Sequence, residues 1–241
     1  MTQDDIQGAA ARPPDFPLRP GQLLGMARGF AWLSVGLLVT FMLLLGLLEW
    51  HLPQFLGTLP PCLAGAGLAL YGGLLWWRTS GPDGPWRRHA QIAVFLTALQ
   101  IYLAPFALWW RRDLPDLQLF SNTMTLLASL PALAWVIARQ AEDTGRMLGD
   151  HALAVEARFG RRALIFPVLL LTVLVAGYEG AILAGVPLPE PPSIAMPGLV
   201  VPPWLVMLQL GAILMSMSIG WRCTHACQRA LIQAFPPPVT P

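Results

Sequence analysis

The chain contains no lysine, and all fifteen of its basic residues are arginine. Charged residues make up only 12% of the 241 residues, roughly half the share found in soluble domains. Because the guanidinium group stays charged in proteins, none of these fifteen arginines can act as a tunable base or form a Schiff base. A net charge of only +2 indicates no nucleic-acid partner.

The sequence also lacks the common local motifs of enzymes. It has no Gly-x-Ser-x-Gly, no His-Glu-x-x-His, no Walker loop and no glycine pattern for dinucleotides. Its four histidines lie at the ends of apolar segments or between them, which disfavours a haem held by paired intramembrane histidines. We therefore predict no catalytic motif, no cofactor and no metal.

Cysteine is scarce as well, with only three residues. Cys223 and Cys227 lie one helical turn apart with His225 between them, and Cys62 is isolated. On a helix, His225 points away from both sulfur atoms, so the three cannot bind one metal ion. We expect the cysteines to pack in the protein, with a labile thiol or a lipidation site as the alternative.

Long apolar runs dominate what remains. Hydrophobic residues make up 55% of the chain, and a membrane-spanning helix needs about 20 of them in succession. We predict an all-α integral membrane protein, a bundle of six spanning helices in a domain over residues 29–222. A disordered cytoplasmic tail is expected at 1–28, and a cytoplasmic C-terminal tail at 223–241 whose end, Pro236–Pro241, should also be poorly ordered. The six predicted spans are 29–49, 61–77, 90–110, 117–138, 163–185 and 203–221.

The arginines predict the orientation of this bundle. If both termini are cytoplasmic, 13 arginines lie inside and only Arg111 and Arg112 lie outside. The positive-inside rule therefore favours an inner-membrane protein with its N- and C-termini in the cytoplasm. The ten tryptophans, Trp76 among them, fall at the ends of the spans, where indole rings anchor helices at the headgroup boundary.

The longest inner loop has helical character. Over residues 140–160, apolar Leu148, Ala152, Val155 and Phe159 recur close to helical spacing. We predict one interfacial helix over about 140–160, lying along the cytoplasmic leaflet, with the following arginines near anionic headgroups. This helix could anchor the topology or serve as a docking surface for a protein partner.

Small residues occur four apart in two spans. Gly65, Ala69 and Gly73 share one face of the second span, and Gly177, Ala181 and Gly185 share one face of the fifth. Such faces allow close packing of helices in lipid. We expect this packing to be internal, with a homo-oligomer as the alternative.

One carboxylate within a span is the main candidate for a functional site. Glu179 lies in the fifth span, where a charged group is costly unless it is paired, hydrated or protonated. It could bind a substrate or a proton, or it could instead reach the interface and pair with Arg111 or Arg112. The other polar residues predicted near the same outer boundary are Glu49, His51, Asn122 and Tyr102.

These features leave three classes of function. The first is a non-catalytic membrane subunit or scaffold, which the missing motifs favour. The second is a small-solute or proton-coupled transporter with Glu179 in its path. The third is an intramembrane enzyme with an outward-facing site. Gln100 and Gln209 lie near mid-membrane, and we expect them to stabilise helix packing through hydrogen bonds rather than to line a pore.

Overall fold

In the computed structural model, every regular element of the described residues is an α-helix. The structure describes residues 18–49, 62–80, 86–112, 117–185 and 203–234. We label the helices in chain order as α1 Pro20–Glu49, α2 Cys62–Thr79, α3 Trp86–Arg112, α4 Leu117–Met147, α5 His151–Leu183 and α6 Pro203–Ala234.

Five of these helices are long and apolar enough to cross a membrane, and α2 is the exception. Helix α2 has 18 residues, so it measures about 27 Å, slightly less than the roughly 30 Å hydrocarbon core. Its several glycines and Arg78 also lower its apolar character. The all-helical architecture is therefore confirmed, with five helices that are by length and composition able to cross a membrane. Helix α2 packs between α1 and α3.

Successive helices run antiparallel and pack side by side. Helix α1 lies between α2 and α6, while α4 contacts α3, α5 and α6. Helix α5 lies at the periphery, because its neighbours are α4 and, to a smaller extent, α6. The starts of α1, α3 and α5 consequently share one end of the bundle with the ends of α2, α4 and α6.

Helices α1 and α6 extend well beyond the predicted boundaries of the first and last spans. Helix α1 begins at Pro20 instead of residue 29, and α6 continues to Ala234 instead of ending at 221. Proline is favoured at the first helical position, and the side-chain oxygen of Gln22 accepts a 3.0 Å hydrogen bond from the Arg19 backbone N–H. The predicted tails therefore include helical residues. Residues 1–17 and 235–241 lie outside the described part of the chain.

The prediction of a separate helix over 140–160 is wrong. Residues up to Met147 belong to α4, and α5 begins at His151. Between them, Gly149 adopts a φ of 67°, and the backbone N–H of Asp150 donates to the Gly145 carbonyl at 2.9 Å. This arrangement is a Schellman C-cap, which ends α4 and turns the chain back immediately.

Helices α1 and α2 meet through small residues along much of their length. A Cβ atom on Gly36 would lie 2.8 Å from the Cα of Ala69, and one on Gly65 would lie 2.8 Å from the Cα of Thr40. The predicted small-residue face of α2 is thus occupied within the chain by α1, while Gly73 faces Val94 of α3.

Trp76 departs from its predicted role as an interfacial anchor. Its side chain is only 2% exposed, and its ring meets Phe30 edge-on at 4.6 Å. The indole N–H donates to the Met26 carbonyl at 3.4 Å, and the ring fills the space beside Gly29. Trp76 is therefore a core residue of the α1–α2 interface.

Candidate functional site

Arginines collect at one end of the bundle, which we call the basic end. It contains the start of α1, α3 and α5 and the end of α2, α4 and α6. Every arginine whose side chain the structure describes lies in this half: Arg19, Arg28, Arg78, Arg87, Arg88, Arg139, Arg146, Arg158, Arg161, Arg162, Arg222 and Arg229.

The centre of the basic end is a fully buried carboxylate, that of Glu142. Its Oε1 accepts hydrogen bonds from Arg146 Nη2 and, at 3.0 Å, from Arg158 Nε. Its Oε2 accepts from Arg161 Nε at 2.8 Å and from Arg139 Nη1 at 3.4 Å. We call these four arginines the arginine cage. A carboxylate has about four acceptor positions, so the cage saturates Glu142.

Helical spacing brings the members of the cage to the carboxylate. On α4, Arg139 and Arg146 lie three residues before and four residues after Glu142, which places all three on one side of the helix. On α5, Arg158 and Arg161 are also three residues apart. The tight turn at Gly149 folds α5 back along α4 and brings the two pairs together.

The remaining acidic side chains that the structure describes are also ion-paired. Asp143 lies 3.6 Å from Arg139 Nε and 3.7 Å from His89 Nδ1 of α3. Two further pairs, Glu156 with Arg222 and Asp150 with Arg229, join α5 and its N-terminal turn to α6. Asp150 additionally accepts the Leu153 N–H at 3.0 Å, which caps α5.

This arrangement fits a structural role for the charges. A carboxylate whose acceptor positions are all filled by guanidinium groups has no position free to take a proton from a substrate. The ion pairs connect α4 to α5 and α5 to α6, and His89 of α3 lies beside Asp143 of α4. They fasten the helices at one end of the bundle.

Four of the sequence-predicted site residues lie in helix segments toward the opposite end: Glu49, Tyr102, Asn122 and Glu179. Tyr102 is 66% exposed on α3, and Asn122 is partly buried on α4. Glu179 lies in α5 and Glu49 is the last residue of α1, but their side chains are outside the description, as is His51 altogether. Helices α1 and α5 are not neighbours in the described ranges, and the convergence of Glu49 with Glu179 stays a prediction.

Tyr102, Asn122 and Glu179 lie at a similar height along the bundle axis, next to a cleft. An open cleft of about 270 Å³ separates α3 from α5, with α4 as its floor. Its lining includes Leu99 of α3, Thr125 of α4 and Ala176 of α5. Tyr102, Asn122 and Glu179 each lie about one turn beyond one of these residues, toward the same end of the bundle.

The two mid-membrane glutamines are buried but behave differently. Gln209 of α6 donates a 2.8 Å hydrogen bond to the backbone carbonyl of Leu127 in α4, which confirms that it joins two helices. Gln100 of α3 is fully buried, and neither its Nε2 nor its Oε1 has a partner among the described residues.

Cys223 and Cys227 are free thiols, and both are fully buried in α6. Packing, the expected role, is therefore what the structure shows for this pair. The side chain of Cys62 lies outside the description. Within the described ranges, no three His, Cys, Asp or Glu side chains form a group that could hold a metal ion.

Sequence reasoning missed Glu142 as the centre of a site. The sequence signal was present, since Glu142 is flanked at helical spacing by Arg139 and Arg146. Its other two partners lie 16 and 19 residues away, and only the α4–α5 turn identifies them.

Comparison with known proteins adds no assignment to this geometry. No protein-family model, curated protein or solved structure matches the chain.

Proposed function

We propose that the chain is a non-catalytic membrane subunit or scaffold, whose helices hold a fixed arrangement for a larger assembly. The observation that carries this proposal is the pairing of the described carboxylates with arginines. Each acidic side chain that the structure describes is engaged by arginine, and Glu142 is saturated by four. Buried ion pairs of this kind can fix one arrangement of helices in preference to others.

In this proposal six helices cross an inner membrane, with α2 as a short sixth span. The basic end faces the cytoplasm, and both termini lie there. The concentration of described arginines at that end supports this orientation by the positive-inside rule. Exposed apolar residues along α5, such as Leu169 and Val173, suit contact with lipid.

A protein partner would contact the tip of the α4–α5 hairpin, within the 140–160 segment predicted as a docking surface. His151 and Ala152 are exposed there. The tip also lies about 9 Å beyond Glu142 along α4, because Leu148 is the sixth residue after Glu142.

Native mass spectrometry of the tagged protein, extracted gently from its own membranes, tests this role. We expect a second protein at fixed ratio that is lost when the tip is altered by Ala152→Glu. Gln228→Glu, an equal charge change on the exposed surface of α6, is the matched control and should retain the partner. A lone protein carrying a bound small molecule or metal ion would rule out the scaffold role.

A transporter is the second candidate, and the Gln100 amide supports it. A buried amide without partners costs several kcal/mol, about 2–7 depending on the reference, unless water or a polar solute reaches it. Gln209 Oε1 and Ser216 Oγ on α6 are also buried without partners among the described residues. Such groups suit a hydrated path for a small solute or for protons.

The replacement Glu179→Gln tests this second candidate. In proteoliposomes under a pH gradient, a proton-coupled transporter should conduct protons in the wild type and lose most of that flux in the variant. Glu156→Gln, which alters a carboxylate at the basic end, should leave the flux unchanged. Equal flux in wild type and Glu179→Gln would exclude Glu179 from any proton path.

A further inference from the structure

The arginine cage carries more positive charge than its acidic neighbours neutralise. Four guanidinium groups surround Glu142, and among the described residues the other carboxylate within ion-pair distance of them is Asp143. Two positive charges are therefore left over. Close to an apolar bilayer, where the effective dielectric constant is low, an excess of this size attracts a second anion strongly.

The cage also has unused hydrogen-bond donors. Arg158 and Arg161 each contact Glu142 through Nε alone, at 3.0 and 2.8 Å. A guanidinium group has five N–H donors, so the four on the terminal nitrogens of each side chain remain available. No acceptor for them occurs among the described residues. Glu142 thus holds two guanidinium groups in place while leaving most of their donors free.

A third arginine adjoins this pair. Arg162 is exposed and makes no ion pair with any described carboxylate. It lies four residues after Arg158 on α5, and side chains at this spacing are neighbours on one side of a helix, with Cβ atoms about 6 Å apart. Three guanidinium groups therefore lie within little more than one turn of α5.

The surface around Arg162 is apolar and exposed. Val155, Phe159 and Phe166 are 62%, 72% and 65% exposed, and they follow the helical spacing that also contains Arg162. A ligand that fits this surface needs an anionic group for the arginines and an apolar part for the phenylalanines. A free phosphate ion would satisfy only the arginines.

We propose that Arg158, Arg161 and Arg162 bind the phosphate group of an anionic phospholipid, with its acyl chains lying along α5 past Phe166. Guanidinium and phosphate groups form strong charge-assisted hydrogen bonds, often in pairs. Glu142 acts here as a positioning residue that holds Arg158 and Arg161. The site requires only that the helices lie in a bilayer, so it goes beyond the scaffold role and does not depend on a protein partner.

Native mass spectrometry of the purified full chain with dioleoylphosphatidylglycerol tests the site. We expect the wild type to retain this lipid in preference to phosphatidylcholine with the same acyl chains. Arg162→Gln should weaken binding about fivefold, the effect of one arginine near an anionic surface. Arg88→Gln is the matched control, because Arg88 is also exposed at the basic end and free of described ion pairs; it should bind like the wild type.

Three outcomes would overturn the proposal. Equal weakening by Arg162→Gln and Arg88→Gln would show general attraction to positive charge. Equal retention of the two lipids would show that the anionic headgroup is not recognised. If excess inorganic phosphate binds at Arg162 and displaces the lipid completely, the site takes free phosphate. The absence of a protein partner, by contrast, would count against the scaffold role and leave the lipid site intact.

Discussion

Two antiparallel helix pairs in this protein differ in the residues that join them. Helices α1 and α2 approach closely because Gly36 and Gly65 leave room for the partner backbone. Helices α4 and α5 are joined through the arginine cage around Glu142. The first contact is apolar, whereas the second combines close packing, as between Gly145 and Ala154, with an ionic cluster at the basic end.

The two pairs also differ in how much of the helix surface is buried by neighbouring helices. In their most apolar segments, 50% of the residues of α1 are buried, against 22% of those of α5. Glycine contacts recur along α1, while α5 buries Leu164 and Leu171 in the core and also borders the open cleft. The smaller buried share of α5 leaves more of its surface available to lipid or to a partner.

Removing the charge at the centre of the cage should have the largest effect. Glu142→Gln leaves four arginines crowded around a neutral amide, and loss of one partner of a buried ion pair costs about 3–5 kcal/mol. We expect the free energy of unfolding, measured in mixed detergent micelles, to fall by that amount.

The control for this change is Glu156→Gln, which breaks a partly exposed pair with Arg222. Its cost should stay below about 1 kcal/mol because solvent screens the pair. Equal losses in the two variants would mean that the cage contributes no more than a surface ion pair.

The glycine contact of the α1–α2 pair should respond to added volume. Gly65→Ala places a methyl group against the Thr40 backbone, and overpacking of this kind costs about 1–3 kcal/mol. Gly67→Ala, two residues away in α2, meets no atom within 4 Å and should stabilise the helix by up to about 1 kcal/mol. Thermal unfolding in detergent distinguishes the two, and similar behaviour would show that α1 and α2 are not in close contact.

The turn that brings α5 back to α4 should show the smallest effect. At Gly149 the φ of 67° is unfavourable for residues with a side chain, so Gly149→Ala should cost about 1–2 kcal/mol. Gly149→Asn should cost less, because asparagine tolerates this conformation. Since a Cβ there would touch nothing, a loss far above this range in thermal unfolding would point to a contact beyond the described residues.

Hydropathy predicted the helices well and their boundaries poorly. A span is recognised by its apolar length, so the prediction stopped where arginine and polar residues begin. Helices α1 and α6 continue past those limits because buried Leu23, Met26 and Cys227 extend the packed core beyond the expected spans. The predicted interfacial helix failed because the turn at Gly149 was not recognised within an otherwise helical pattern.

For the candidate site too, the sequence indicated some residues and missed others. Glu179 stood out as an isolated carboxylate in an apolar run, and it stays a prediction. Glu142 was not predicted as a site residue, because a glutamate flanked by arginines in sequence is typical of an exposed polar segment. Trp76 was likewise predicted at the interface from its position at a helix end, yet it is buried beside Gly29.

The sequence by itself determined an all-helical membrane protein with most of its arginines at one end, because the cost of unpaired backbone groups and of charge in lipid acts on each segment separately. Only the tertiary structure decided which residues meet: the four arginines around Glu142, Gln209 with the Leu127 carbonyl, and the glycines of α1 with α2. These contacts join residues from different helices, and their energies depend on how helices pack, which no single segment specifies.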